Sequence, residues 1–79
     1  MNGHQPEQLV MSAAILAKRL AVSERHLWAM HADGRLGPLP LSLGRAKRWS
    51  IAEIEAWLAA GAPPRTQWQA AKSDLPRII

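Results

Sequence analysis

Apolar residues recur along this chain in two different periods, and the switch between them separates its parts. Ala13, Leu16, Ala17 and Leu20 are spaced by three and four, which is one face of a short helix. Ser12, just before them, is a good N-cap, and Lys18 and Arg19 point outward. Ala21-Val22 interrupts the stripe, and Ser23 offers a second N-cap. A second stripe of Leu27, Met30 and then His31 or Gly34 predicts a helix closed by Asp33-Gly34, with Gly34 as its left-handed C-cap. Glu24 in the first turn suits the positive end of that helix. Two helices so closely joined form a helix-turn-helix unit.

After Gly34 the period falls to two. Pro38 and Pro40 forbid continued helix. Leu39, Leu41 and Leu43 alternate with Pro40, Ser42 and Gly44, the pattern of a half-buried strand, and Pro40 makes it an edge. Gly44-Arg45-Ala46 turns the chain and Lys47-Arg48-Trp49 returns it, giving a small hairpin with three cations at and beside its tip. Ser50 to Glu53 reads as a capping box, in which each side chain bonds the other's backbone amide. Ile51, Ile54 and Leu58, with Trp57 beside them, predict the buried stripe of a third helix ended by Gly61 and Pro63-Pro64. Thr66 to Lys72 has the makings of further helical turns; Ser73 onward has no legible pattern.

Composition narrows the possibilities. With 79 residues the chain is a single domain, and one this small buries only ~60% of its unfolded surface. The absence of cysteine excludes disulfides, thiolate zinc sites and cysteine nucleophiles. Helix packing, a partner copy or a ligand must supply the stability. No stretch is apolar for the ~18 residues of a membrane span, and Met1–Gln8 lacks the basic flank and apolar run of a secretory leader. The expected location is the cytoplasm, with no membrane partner.

The net charge of +4 gains meaning from its placement. Residues 12–49 hold seven Lys and Arg against Glu24 and Asp33, whereas residues 50–64 hold only Glu53 and Glu55. Ser23, Glu24, Arg25, His26 and Ala29 on the outer face of the second helix have the chemistry to enter a major groove. Ser23 donates to phosphate, Arg25 reads guanine, His26 donates to either, and Ala29 lets the backbone approach. Arg45, Lys47 and Arg48 repel one another unless an anion neutralises them, and a hairpin tip follows a phosphate strand well. The same residues also suit a solvated helix face and a charged turn. Trp28, Trp49 and Trp57 adjoin apolar stripes and read as core rather than as a base-stacking platform. Trp68 either covers the edge of the core or meets a partner.

No catalytic constellation appears. His26 and His31 lie ~140° apart around a helix and cannot share a metal. Glu53 and Glu55 diverge, and Gly34-Arg35-Leu36-Gly37 lacks the Lys-Ser/Thr of a phosphate loop. The chain is expected to be no enzyme and to need no cofactor or metal.

The run Leu16-Ala17-Lys18-Arg19-Leu20-Ala21-Val22-Ser23, then Leu27-Trp28 and Gly34-Arg35-Leu36, resembles the MerR-like winged helix-turn-helix domains of AlpA-type phage regulators and excisionases. The likeness continues through Leu43-Gly44-Arg45-Ala46-Lys47-Arg48-Trp49 to Ile54-Glu55-Ala56-Trp57-Leu58, covering about residues 10–60. It implies a mainly α fold with a small β-hairpin, and a prokaryotic or phage protein that binds duplex DNA as a transcriptional regulator. The alternative it implies is an excisionase that bends DNA beside an integrase. RNA polymerase is a further expected partner, as is a second copy in a dimer or tandem array, with Trp68 and Ile78-Ile79 as contacts. A protein-interaction module facing an acidic partner is the reading from another class. By position, Ser23, Arg25 and His26 fall on the recognition helix and Arg45, Lys47 and Arg48 on the wing, while Lys18, Arg19 and Arg35 are candidate backbone contacts. The domain then spans residues 11–61, after a flexible N-terminus over 1–10 and before a partly helical tail over 62–79. Such turns usually carry Gly where this chain has Ala21, which is tolerable if the local backbone is not left-handed.

Overall fold

The computed structural model describes residues 8–73. Along them run β1 (Val10–Met11), α1 (Ala13–Arg19), α2 (Glu24–Ala32), β2 (Leu41–Leu43), β3 (Ala46–Ser50), α3 (Ile51–Ala59) and α4 (Arg65–Ser73). Three serines start three of the helices as their spacing predicts. The hydroxyls of Ser12, Ser23 and Ser50 accept from the amides of Ile15 (3.3 Å), His26 (3.0 Å) and Glu53 (3.1 Å).

The same three helices end alike. In α2 the Arg35 amide reaches back to the Met30 carbonyl (2.9 Å) around Gly34, and in α3 the Ala62 amide reaches Trp57 (2.9 Å) around Gly61. In α1 the Val22 amide reaches Ala17 (3.0 Å) and the Ala21 amide reaches Lys18 (3.1 Å). All three form the closure whose pivot residue is left-handed. Gly34 and Gly61 take that conformation freely at φ +83° and +93°, whereas Ala21 is forced into it at φ +60°. The condition under which alanine is readily tolerated there, a backbone that is not left-handed, is therefore not met.

The sheet is antiparallel in the order β1-β3-β2. β1 straddles the expected boundary, with Val10 in the stretch 1–10 expected to be flexible and Met11 in the domain; two residues are too few to show a period. Val10 pairs with Ser50 and Met11 with Trp49, and the Ile51 amide donates to the Leu9 carbonyl (3.0 Å). Gly44-Arg45 joins β2 to β3, and Gly44 at φ +66° supplies the positive φ that a two-residue hairpin turn needs at its first position.

That turn also sets the register, and the register corrects the leucines. Leu41 lies opposite Arg48 and Leu43 opposite Ala46. Residues directly opposite share a face, and neighbours along a strand alternate, so both leucines lie on the side away from Trp49. Leu39, Leu41 and Leu43 are 46%, 45% and 52% exposed rather than half-buried.

The core forms around Trp49, Leu16, Leu27 and Leu36, each fully buried, and is extended by Ile54, Trp57 and Trp68. On α3 the buried stripe is Ile54 and Trp57 with Ile51 partly covered, while Leu58 is exposed. Trp57 takes the inner position because its indole N–H donates to the Pro63 carbonyl (2.8 Å) and its ring meets the connector at Gly37. A Cβ at Gly37 would lie 2.5 Å from Trp57 Nε1 and 3.0 Å from Trp68 Cβ, so only glycine passes there.

Helix α4 is part of this core. Trp68 is buried, and its indole N–H donates to Glu53 Oε2 (2.9 Å), which also accepts from Lys72 Nζ (2.7 Å). The capping box is thus half made: Ser50 caps the Glu53 amide, but the Glu53 carboxylate is drawn to α4. Arg65 donates through Nη2 to the carbonyls of His31 (2.8 Å) and Leu36 (3.0 Å) and to His31 Nδ1 (3.0 Å). Its own amide reaches the Gly34 carbonyl (2.8 Å). Trp68 is accordingly not a surface contact between copies; Ile78 and Ile79 lie outside the described residues.

Ala21→Gly tests the strained closure. The left-handed penalty for alanine is about 1–2 kcal/mol. Greater freedom of the unfolded glycine chain offsets about 0.4–1 kcal/mol of it. A net gain of about 0.5–1 kcal/mol is expected, raising Tm by roughly 2–8 °C in thermal unfolding. An unchanged or lower Tm would show that Ala21 is unstrained.

Candidate nucleic-acid interface

Helix α2 exposes Ser23, Glu24, Arg25, His26 and Ala29, all five expected positions. At 100° per residue, Arg25 and Ala29 each stand about 160° from Leu27, the buried anchor, and so face straight outward. Glu24 and Trp28 share one flank, and His26 and Met30 the other. Ser23 uses an oxygen lone pair on the His26 amide, and its hydroxyl proton remains available to an outside acceptor.

The hairpin lies along the flank of Glu24 and Trp28. Between the start of α1, α2 and the hairpin is an open cleft of about 540 Å³, where Glu24 and Trp28 meet Arg45, Lys47 and Arg48. Alternation along β3 turns Lys47 to the same side as Trp49 and Arg48 to the other. Lys47 is steadied by Ser42, to whose hydroxyl its ammonium donates (2.8 Å), and Arg48 donates to the Lys47 carbonyl (2.9 Å). Arg45, at the turn, is exposed.

The other expected cations stand apart from this cleft. Lys18 and Arg19 are exposed in the last turn of α1. Arg35 lies beyond the far end of α2, where its Nε bonds the Asp33 carboxylate (2.8 Å), and the guanidinium first, then the Arg35 amide, hold that carboxyl below its ordinary range. Arg35 lines a separate, mostly apolar cleft with Met30, Trp57, Ala62 and Pro64. Its charge is thus locally neutralised, away from the hairpin.

Trp28 is the residue that the sequence reading missed. Expected in the core, it is 38% exposed, with its ring edge-on to Trp49 (centroids 5.4 Å) and His31 (5.7 Å). Its place on the Glu24 flank, about 100° from Leu27, was the available signal. No family model, curated protein or solved structure matches the chain. Among the described residues no helix is long and apolar enough to cross a membrane.

His31 lies against Trp28 and Trp49, with ring centroids at 5.7 and 6.1 Å. Its Nδ1 lies 3.0 Å from Nη2 of Arg65. Burial first, then the charges of Arg65 and Lys47, lower its pKa from the ordinary 6.5. The unfolded chain therefore takes up the proton before the folded one does. Stability contributed by neutral His31 is complete above about pH 6.5 and lost as pH falls below it. Melting curves between pH 7.5 and 5 should show Tm declining below about 6.5, with the decline flattened in His31→Gln. An equal decline in both proteins would assign it to other groups.

Proposed function

We propose that this chain is a winged helix-turn-helix domain that binds duplex DNA and regulates transcription. The observation that carries this reading is the meeting of the Ser-capped helix α2 and the cationic hairpin at one open cleft. In this reading α2 enters the major groove by its first turns, with Arg25 and Ala29 toward base edges and Ser23 and His26 at the backbone. Arg45, Lys47 and Arg48 follow the adjoining phosphates, and Lys18 and Arg19 add contacts from α1. The resemblance to AlpA-type regulators along residues 10–60 supports the same assignment. A domain of this size reads few base pairs, so pairs of copies or tandem copies on DNA belong to the proposal.

Fluorescence anisotropy with duplexes selected from a random pool tests it. Log K should fall with log salt at a slope of about −4 to −6, from roughly −0.9 per phosphate contact. Arg25→Ala should cost about 1–3 kcal/mol on the selected site and relax preference at one base pair. Lys47→Ala should weaken all duplexes alike and reduce the slope by about 1. A flat salt response would reject the reading in favour of a protein partner. Equal losses from Arg25→Ala on selected and random DNA would remove α2 as the recognition helix.

A further inference from the structure

Three of the four tryptophans donate their indole N–H within the chain: Trp49 to the Pro38 carbonyl (3.3 Å), Trp57 to Pro63 and Trp68 to Glu53. Trp28 has no hydrogen bond among the described residues, and it lines the cleft beside Arg45 and Lys47. Its ring is not free to turn aside, because Trp49 and His31 meet it at 61° and 75°. The cleft is therefore lined by a held tryptophan whose neutral N–H has no partner among the described residues, together with cationic donors. An indole nitrogen cannot accept, so the matching ligand is an anion rich in acceptor oxygens.

We propose that this cleft seats one phosphate of the DNA backbone, with Trp28 Nε1 hydrogen-bonded to a phosphate oxygen and Arg45 and Lys47 supplying the charge. The inference rests on the DNA-binding reading and adds a residue outside the recognition face. A backbone phosphate arrives attached on both sides, which suits an open trough between two elements better than a closed pocket. The contact ties the helix and the hairpin to the same strand and so fixes the register of α2 in the groove. Glu24 lines the same trough from the flank of α2 that carries Trp28, and its carboxylate repels an anion seated there.

Trp28→Phe keeps an aromatic ring against Trp49 and loses only the donor. The test measures full-length wild type, Trp28→Phe and Glu24→Gln by anisotropy on selected duplexes across a salt series. A second set of duplexes carries a single neutral methylphosphonate at successive positions. Trp28→Phe should bind every duplex about tenfold more weakly with an unchanged salt slope, because a neutral donor releases no counterion. Glu24→Gln should tighten binding about two- to fivefold. One methylphosphonate position should weaken the wild type more than it weakens Trp28→Phe, which keeps only the Arg45 and Lys47 contacts there.

The wild type alone supplies a further readout: DNA should quench the exposed indole of Trp28, and inorganic phosphate at matched ionic strength should not. Unaltered duplex affinity of Trp28→Phe overturns the seat while leaving the DNA reading intact. Saturable quenching by inorganic phosphate assigns the cleft to a free anion and overturns the backbone source. Quenching by polyglutamate with no binding of any duplex overturns both readings together.

Discussion

The burial of Trp49 is the constraint on which the arrangement depends. It sits in the central strand, opposite Met11, with its indole N–H on the Pro38 carbonyl and its ring against Trp28 and His31. Because side chains alternate along a strand, placing Trp49 inward places Lys47 on the same, α2-facing side. Hairpin cations and helix are thus registered by an apolar contact two residues away. Emptying such a site costs about 3–5 kcal/mol, against the roughly 5–15 kcal/mol that holds a typical domain. The chain can afford little drift at this position.

Helix α4 secures the back of the same assembly. Arg65 bonds two carbonyls and a ring nitrogen at the end of α2, while Glu53 gathers Trp68 and Lys72 onto α3. The connector from Gly34 to Pro38, which gives Trp49 its hydrogen-bond acceptor, is held between them, and Gln69 donates to Gly37 (3.0 Å). The basic total of the chain therefore divides by task. Arg35, Arg65 and Lys72 are engaged within the fold, whereas Lys18, Arg19, Arg25 and Arg45 have charged ends without an ion-pair partner among the described residues.

Features that depend on a few neighbouring residues were legible in the sequence. The serine caps, the glycine closures of α2 and α3, the Gly44 turn and the exposed set on α2 follow from local spacing. Those set by distant pairing were not. The leucines of β2 alternate as a buried strand does, but the strand alone does not say which parity faces the core; the register with β3 decides it. Glu53 has a local partner in Ser50, yet Trp68 and Lys72, fifteen and nineteen residues on, take its carboxylate. Trp28 adjoins an apolar stripe in sequence but stands about 100° from Leu27 on the Glu24 flank, and what it meets there, the cationic hairpin, is set by distant pairing. Left-handed backbone at Ala21 was hidden because alanine carries no signal for it.

The outward leucines of β2 have a consequence for the chain as a solute. An edge strand with an apolar outer face is a template for sheet pairing with a second molecule, and nearby like charge is what keeps two such edges apart. Arg45, Lys47 and Arg48 supply that charge beside Leu41 and Leu43. The reach of the repulsion shrinks from about 30 Å at 0.01 M salt to about 3 Å at 1 M. Ionic strength therefore acts on the hairpin in one direction twice: as it rises, the proposed grip on a polyanion loosens and the guard against self-association weakens with it.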